Sequence, residues 1–307
     1  MGNKLAGVKV ALIGGDERQV VLANSLIKFG AQVKVIGFEE RPELTGCQFC
    51  TQLSETIENV HAIILPMAGT DLEGNVITTM SSLKLTITEE FFQSIPGHVP
   101  IFLGVAKSFL KEWARFYNKK VIEIANLDEI AILNSIPTAE GALQMAMAEL
   151  PITIHGSKSV VIGFGRCGKT LARKLDALGA DTVVFARKPE ARARILEMGL
   201  KAAEFKQMPQ ILPKADLIFN TVPVQVLDKN ILSLLNKDTL IIDIATAPGG
   251  TDFKAAEKLG IKAILAPSLP GKFAPKTAGL ILAQTLPDLI LKEISLSLEN
   301  EVGGKGL

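Results

Sequence analysis

The sequence predicts an α/β protein made of two doubly wound parallel-sheet domains separated by a cleft. Three observations carry this. Short apolar runs of strand length alternate with stretches of helical periodicity, an order that calls for a parallel sheet covered on both faces. The alternation comes in two series, the second restarting at Ser159. The 307 residues suffice for two cores, and 48% hydrophobic with 21% charged residues is the composition of a packed globular chain.

In the first series, residues 8–13 read as a buried strand, followed by Gly14-Gly15 and a helix over about 18–29. Gly30-Ala31 then turns into a strand over 33–36. Residues 62–65, 100–103 and 130–133 are further apolar runs of strand length. Between the two series, Leu143, Ala146, Met147 and Leu150 sit at helical spacing. They predict a linking helix over 137–150, with Thr138 as N-cap and Glu140 in the first turn. The second series reads strand 160–162, helix 169–178, strand 182–185 and helix 189–198. Strands over 217–219, 240–244 and 263–265 follow. A last helical region, about 277–298, is broken by Pro287 and is expected to return to the first domain. The domains are therefore expected to be 1–133 with a C-terminal helix of about 282–307, flavodoxin- or Rossmann-like, and 134–281, Rossmann-like.

Strand 160–162 runs directly into Gly163-Phe164-Gly165-Arg166-Cys167-Gly168, and a helix follows. In a dinucleotide site of this pattern the first glycine permits a tight turn and the second lets the backbone approach the pyrophosphate. The third allows helix and strand to pack closely, and N–H groups at the helix start face the phosphates. The same residues, through Thr170, also spell the Gly-x-x-x-x-Gly-Lys-Thr of a P-loop. In that rival reading the strand ending at Asp243 would supply the Mg²⁺ ligand. The following strand favours the dinucleotide. Arg187 and Lys188 stand about 20 residues after the last glycine, where the ribose-reading residue belongs, and Arg192 lies one helical turn on. Basic residues there point to the 2′-phosphate of NADP. Asn220-Thr221-Val222-Pro223 and the loop starting at Thr246 follow two later strands, and are expected to pass the ribose and the nicotinamide. Cys167 is read as a small residue in the turn.

Several function classes are excluded. A net charge of +1, with one Trp and one Tyr, leaves no electrostatic or stacking footprint for nucleic acid or an anionic membrane. The first residues lack a signal-peptide pattern, and no run approaches the roughly 18 apolar residues of a membrane span, so a cytoplasmic location is expected. Three cysteines cannot form a disulfide framework. Cys47 and Cys50 form a Cys-x-x-Cys without a second ligand pair and are expected to be ordinary thiols, so no metal site is predicted. His61 and His155 precede strands and His98 lies in a Pro-flanked loop, positions that suit structural roles.

The loops after the first-domain strands are rich in polar residues and glycine. By the strand-end rule they line one crevice facing the cofactor. Arg18, next to Gln19, suits a carboxylate because its planar fork binds one bidentately. Gln19, Lys107, Ser135 and the backbone N–H at Thr138 are further candidates for binding an anionic substrate, and Lys272, placed to close on it, is with Glu140 a catalytic candidate. Glu140 is a candidate for proton removal, against the alternative of a helix-start carboxylate.

Four strings together resemble the dipicolinate synthase A-subunit family of spore-forming bacteria. They are Ile13-Gly14-Gly15-Asp16-Glu17-Arg18-Gln19, Ile132 to Gly141, Pro248-Gly249-Gly250-Thr251-Asp252-Phe253, and Leu269 to Gly279. The likeness runs from about Val8 into the final helix. It implies an NADP-linked oxidoreductase that converts 4-hydroxy-tetrahydrodipicolinate, a dicarboxylate, into dipicolinate in the mother cell during sporulation. It also implies a partner, the flavoprotein-like B subunit, and a homo-oligomer is expected. The residues also leave room for another NADP-linked dehydrogenase of a small carboxylic acid on this scaffold, and, as the rival from a different class, for the P-loop protein.

Overall fold

The computed structural model describes residues 3–303. Internal contacts divide the chain into two units, Met1–Ala131 with Pro275–Leu307, and Ile132–Ala274. The C-terminal part of the first unit thus begins at Pro275 rather than at about Leu282.

The first unit carries β1 (Lys9–Ile13), β2 (Gln32–Ile36), β3 (Gln48–Phe49), β4 (Ala62–Ile64), β5 (Ile101–Leu103) and β6 (Val121–Glu123). Their order is β3-β2-β1-β4-β5-β6, parallel throughout. Strand residues alternate between two cores, as a period of two demands. Val10, Leu12 and Phe102 pack with Leu22 and Leu26 of the Glu17–Lys28 helix, while Ala11, Ile13 and Ile101 pack with Phe92 and Leu110 on the other face.

The second unit repeats the plan. Its strands are β7 (Lys158–Ile162), β8 (Asp181–Phe185), β9 (Lys201–Ala203), β10 (Leu217–Asn220), β11 (Leu240–Asp243) and β12 (Lys262–Leu265). They run in the order β12-β11-β10-β7-β8-β9, again all parallel. Val161, Phe219 and Ile242 face one core and Val160, Ile218 and Ile241 the other. In each sheet the strand order reverses beside the first strand, between β1 and β4 and between β7 and β10. Crevices beyond the carboxyl ends of such neighbours are where these sheets take ligands.

Three expectations are corrected. Residues 130–133 are helical, within Asp128–Glu149, and the sixth strand of the first sheet is Val121–Glu123. Ile130 is buried whereas Ile132 is 53% exposed, and further along the chain Ala139, Ala142, Leu143 and Ala146 are buried at helical spacing. Thr138 is therefore no N-cap. It lies inside this helix, and its hydroxyl donates to the carbonyl of Asn134 at 2.7 Å. Finally, Pro287 does not break the last helix, which runs Pro275–Gly303. An interior proline costs about 3 kcal/mol. Leu282, Leu286 and Ile290, each at most 1% exposed, contribute about 1.5–3 kcal/mol apiece by burial and outweigh it. Gly279 lets this helix approach the Glu17–Lys28 helix, since a Cβ there would stand 2.6 Å from Val21 Cβ.

Cys47 and Cys50 flank β3 and pack into the cores on opposite faces of the sheet. Three steps of extended backbone separate their Cα atoms by about 10 Å, beyond the ~7 Å limit for a disulfide. Burial pushes the Cys47 thiol up to about 11 and raises that of Cys50. Neither arrangement suits a redox pair or a metal clip.

His61, just before β4, accepts the backbone N–H of Lys9 on Nδ1 at 2.9 Å, which requires that nitrogen to be unprotonated. Burial, reinforced by Lys9 and His98, holds its pKa below the ordinary 6.5. The stabilisation is complete above 6.5 and is lost as pH falls from there through the lower folded value. The melting temperature is expected to fall more between pH 8 and pH 5.5 in the wild type than in His61→Gln, and equal slopes would remove His61 from the account.

Candidate functional site

The turn after β7 is fitted by three glycines with different surroundings. Gly163 has φ +101°, and a Cβ there would meet Thr221 Oγ1 at 2.3 Å and Val222 Cγ2 at 2.9 Å, so this glycine admits the loop after β10. A Cβ on Gly168 would stand 2.2 Å from the carbonyl oxygen of Gly163, which brings the helix against the strand end. A Cβ on Gly165 would meet nothing within 4 Å. Gly165 is the N-cap of the Arg166–Ala177 helix, has no side-chain cap, and presents open backbone at the helix N-terminus. This is the cradle that a pyrophosphate requires. The residues present fit a dinucleotide.

The neighbouring loops are held by one buried carboxyl group. Asp243, at the end of β11, is 0% exposed. Its Oδ2 accepts from Asn220 Nδ2 at 2.9 Å, Gly250 N at 2.8 Å and Thr251 Oγ1 at 2.7 Å, and its Oδ1 accepts from Ala245 N at 3.1 Å. Asn220 also donates to the Val222 carbonyl and accepts the Val222 N–H. Thr221 donates its hydroxyl to the Ile162 carbonyl at 2.9 Å, locking the expected cofactor loop 221–223 beside Gly163. Thr246 accepts the Gly249 N–H at 2.9 Å in the next loop. Nothing in the sequence pattern marked Asp243 as the anchor of both loops. Its position at a strand end, shortly before Gly249-Gly250-Thr251, was the available signal.

These contacts also remove the P-loop reading. A P-loop needs a long turn before its Gly-Lys-Thr, but here the helix begins at Arg166 and Gly168 already packs on the strand end. Asp243, the proposed Mg²⁺ ligand, is saturated by four donors. Thr170 Oγ1 is 2.6 Å from Ser135 Oγ, and Lys169 Nζ lies over the Phe164 ring at 5.5 Å. Among the described residues no group of three or more His, Cys, Asp or Glu is placed to hold a metal ion.

Beyond β8, Arg187 and Lys188 are exposed, and no acid stands at this strand end. Lys188 Nζ is 3.9 Å from Glu190 on the surface. Arg192 is placed differently from the expectation. Its Nη1 donates to the carbonyls of Ala186 at 3.2 Å and Arg187 at 2.8 Å, and its Nη2 is 3.1 Å from Glu204 Oε1. Cys167 is half-buried in the first helical turn, and desolvation there raises its pKa.

Several predicted substrate contacts are committed elsewhere. Arg18 is 6% exposed and clamps Asp16, with Nε at 2.9 and 3.1 Å from the two carboxyl oxygens and Nη2 at 2.6 Å. Gln19 accepts the Asp16 N–H at 3.0 Å in a capping box of the same helix. Ser135 donates to the Ile132 carbonyl at 2.6 Å and bonds Thr170, tying two helices of the second unit. Glu140 is half-exposed and paired with Lys174 at 2.8 Å, about two turns along the helix from Gly165, which is poor placement for a general base. Lys107 precedes the Ser108–Phe116 helix and Lys272 lies on the exposed side of the Leu269–Phe273 helix. Neither is engaged in an ion pair among the described residues. Ser268, which caps that short helix, has φ +61°, a conformation that costs a non-glycine residue about 1 kcal/mol or more.

The first unit has the same strand order but not the same site. A Cβ on Gly14 would meet Val76 Cγ1 at 2.7 Å, and Gly15 is covered by the Gln19 side chain. Thr78 Oγ1 donates to the carbonyls of Gly15 at 3.1 Å and Gly37 at 3.2 Å, and the Thr79 N–H donates to Gly15 at 2.8 Å. The 76–79 segment thus covers the Gly14-Gly15 turn, and the N–H groups that a second pyrophosphate would need are taken by side chains, that of Asp16 by Gln19 Oε1 at 3.0 Å and that of Arg18 by Asp16 Oδ1 at 3.0 Å.

Fold and turn together define a two-unit α/β dehydrogenase with its nicotinamide dinucleotide on the second unit, and residues 136–249 match the D-isomer specific 2-hydroxyacid dehydrogenase NAD-binding domain. Residues 9–125 match the N-terminal domain of the dipicolinate synthase A subunit. The chain is 41% identical to the dipicolinate synthase A subunit of Bacillus subtilis over 93% of its own length and 97% of that protein's. The crystal structure of the corresponding protein from Bacillus halodurans superposes with a TM-score of 0.90 at 40% identity, covering 93% of this chain and 98% of that one. The Bacillus subtilis crystal structure gives 0.88 at 41% identity, covering 95% and 98%. The chain belongs to the dipicolinate synthase A-subunit family. Among the described residues no helix is long and apolar enough to cross a membrane.

The three glycines give separable expectations. Gly165→Ala should leave the melting temperature nearly unchanged and weaken dinucleotide binding about tenfold or more, as read by NADPH fluorescence. Gly168→Ala should cost about 1–3 kcal/mol of stability by overpacking. Calorimetric titration of the wild type should give one dinucleotide per chain, and two would refute the covered turn of the first unit.

Proposed function

We propose that the chain is an NADP-dependent oxidoreductase that forms dipicolinate (pyridine-2,6-dicarboxylate) from 4-hydroxy-tetrahydrodipicolinate during sporulation, partnered by the flavoprotein-like B subunit. The observation that carries the cofactor choice is the end of β8. Ala186-Arg187-Lys188 puts two exposed cations, and no acid, where a dinucleotide site reads the ribose 2′ position. Support for the product comes from family membership, since the Bacillus subtilis relative belongs to a dipicolinate synthase.

The proposed substrate is a cyclic imine with two carboxylates and a C4 hydroxyl. Conversion to the pyridine removes one water, one hydride and one proton. Bound NADP⁺ supplies the hydride acceptor. Aromatisation supplies the driving force, so the task left to the side chains is to hold the ring and its charges in position. The open backbone at Gly165 and the N–H groups of Arg166 and Cys167 receive the pyrophosphate, and Arg187 with Lys188 receives the 2′-phosphate. Lys107 and Lys272, two predicted contacts that carry positive charge and are in no ion pair among the described residues, are assigned to the carboxylates. Arg18 is assigned to the Asp16 clamp that shapes the loop after β1.

The test is an ultraviolet assay with NADP⁺ and freshly generated 4-hydroxy-tetrahydrodipicolinate, run in parallel with NAD⁺ and with and without the B subunit. Dipicolinate absorption rising together with NADPH is the expected result. Silence with both subunits present, while NADP⁺ still binds, would overturn the substrate assignment and leave the cofactor assignment intact. Lys272→Ala should raise KM for the dicarboxylate about tenfold or more with NADP⁺ affinity unchanged, and an unchanged KM would remove Lys272 from the substrate contacts.

A further inference from the structure

We propose that Arg192 sets cofactor discrimination without touching the cofactor, by holding the main chain of Ala186 and Arg187 so that the Arg187 side chain is presented to the ribose 2′-phosphate. The proposal rests on the NADP reading above and adds to it a positioning residue.

The loop after β8 has little regular structure to restrain it. Its last ladder-like bond is Ala186 N–H to the Ala203 carbonyl at 3.1 Å, and the Pro189–Glu197 helix starts only after Lys188. Arg192 reaches back from that helix. One guanidinium nitrogen caps the carbonyls of both Ala186 and Arg187, while the other binds Glu204 just beyond β9. Glu204 is held in turn by Lys206 at 2.8 Å on its second oxygen. Strand end, helix and neighbouring edge strand are thereby cross-braced through one planar fork, which suits arginine and not lysine.

Two consequences follow for a phosphate. The fork is spent on two carbonyls and a carboxylate, and its side chain is only 22% exposed, so it is poorly placed to read the phosphate itself. With the carbonyls of Ala186 and Arg187 both held by Arg192, the main chain that carries the Arg187 side chain is fixed. Arg187, exposed on the loop so fixed, is left to make the contact.

The experiment measures NADP⁺ and NAD⁺ dissociation constants for Arg187→Ala, Arg192→Ala, Arg192→Lys and the Arg187→Ala/Arg192→Ala double variant. Expected are a loss of about tenfold or more in NADP⁺ affinity for each single alanine variant, and NAD⁺ affinity within about twofold of wild type. The double variant should bind NADP⁺ no more weakly than Arg187→Ala alone, because Arg192 acts through Arg187. Multiplied losses in the double variant would mean direct contact and overturn the proposal. Equal weakening of both cofactors by Arg192→Ala would mean a merely structural role and also overturn it. Arg192→Lys keeps the charge without the fork and should lose NADP⁺ preference, so full affinity there refutes the positioning role even if the alanine variant fails to fold. Should Arg187→Ala bind NADP⁺ as the wild type does, it is the NADP reading that has failed, and the proposal falls with it.

Discussion

A carboxyl group sealed from water at the end of β11 organises the ligand edge of the second sheet. Asp243 has no cation beside it among its hydrogen-bond partners, which are a side-chain amide, a hydroxyl and two backbone N–H groups. Hydrogen bonds to such a group contribute about 1.5–3 kcal/mol each, and four of them offset a desolvation cost that one or two would not. The donors come from the last residue of β10, whose side chain also binds Val222 of the following loop, and from the loop after β11, so burying Asp243 requires both loops to take one shape. That shape brings Thr221 against Gly163 and leaves Gly165 open. The cofactor cradle is thus shaped by a polar network centred on a buried carboxyl group.

The two units show how far topology is from function. Both have the same strand order and both put a glycine pair after the first strand. In the second unit that backbone is bare, and in the first the Gln19 and Asp16 side chains take the helix-start N–H groups while Val76, Thr78 and Thr79 cover the turn. The difference lies in which hydrogen-bond acceptors reach the helix-start N–H groups first.

Much of the fold was legible because central strands are buried on both faces and read as plain apolar runs. The strands that escaped are β3, β6 and β9, two or three residues long, at edges and only partly buried, where no period can be counted. Residues 130–133 misled for the same reason, since four apolar residues fit a strand or one turn of helix. Within the site, the glycine turn was readable because close backbone approach dictates the residue type. Polar partners were not, because sequence tells which groups a side chain offers and not which neighbour the fold brings to it. Arg18 looked like a carboxylate clamp and is one, for Asp16 of its own chain. Glu140 and Ser135 looked chemical and are ties between helices.

The Cys-x-x-Cys across β3 carries the same lesson in terms of parity. An odd spacing on an extended strand sends the two side chains through opposite faces, so the sheet itself stands as a partition between the sulfurs. An oxidant could join them only after the edge strand had left its place beside β2. Any cross-link formed between Cys47 and Cys50 would therefore record how often that margin of the sheet peels open, and would serve as a clock for local unfolding rather than a gauge of redox state.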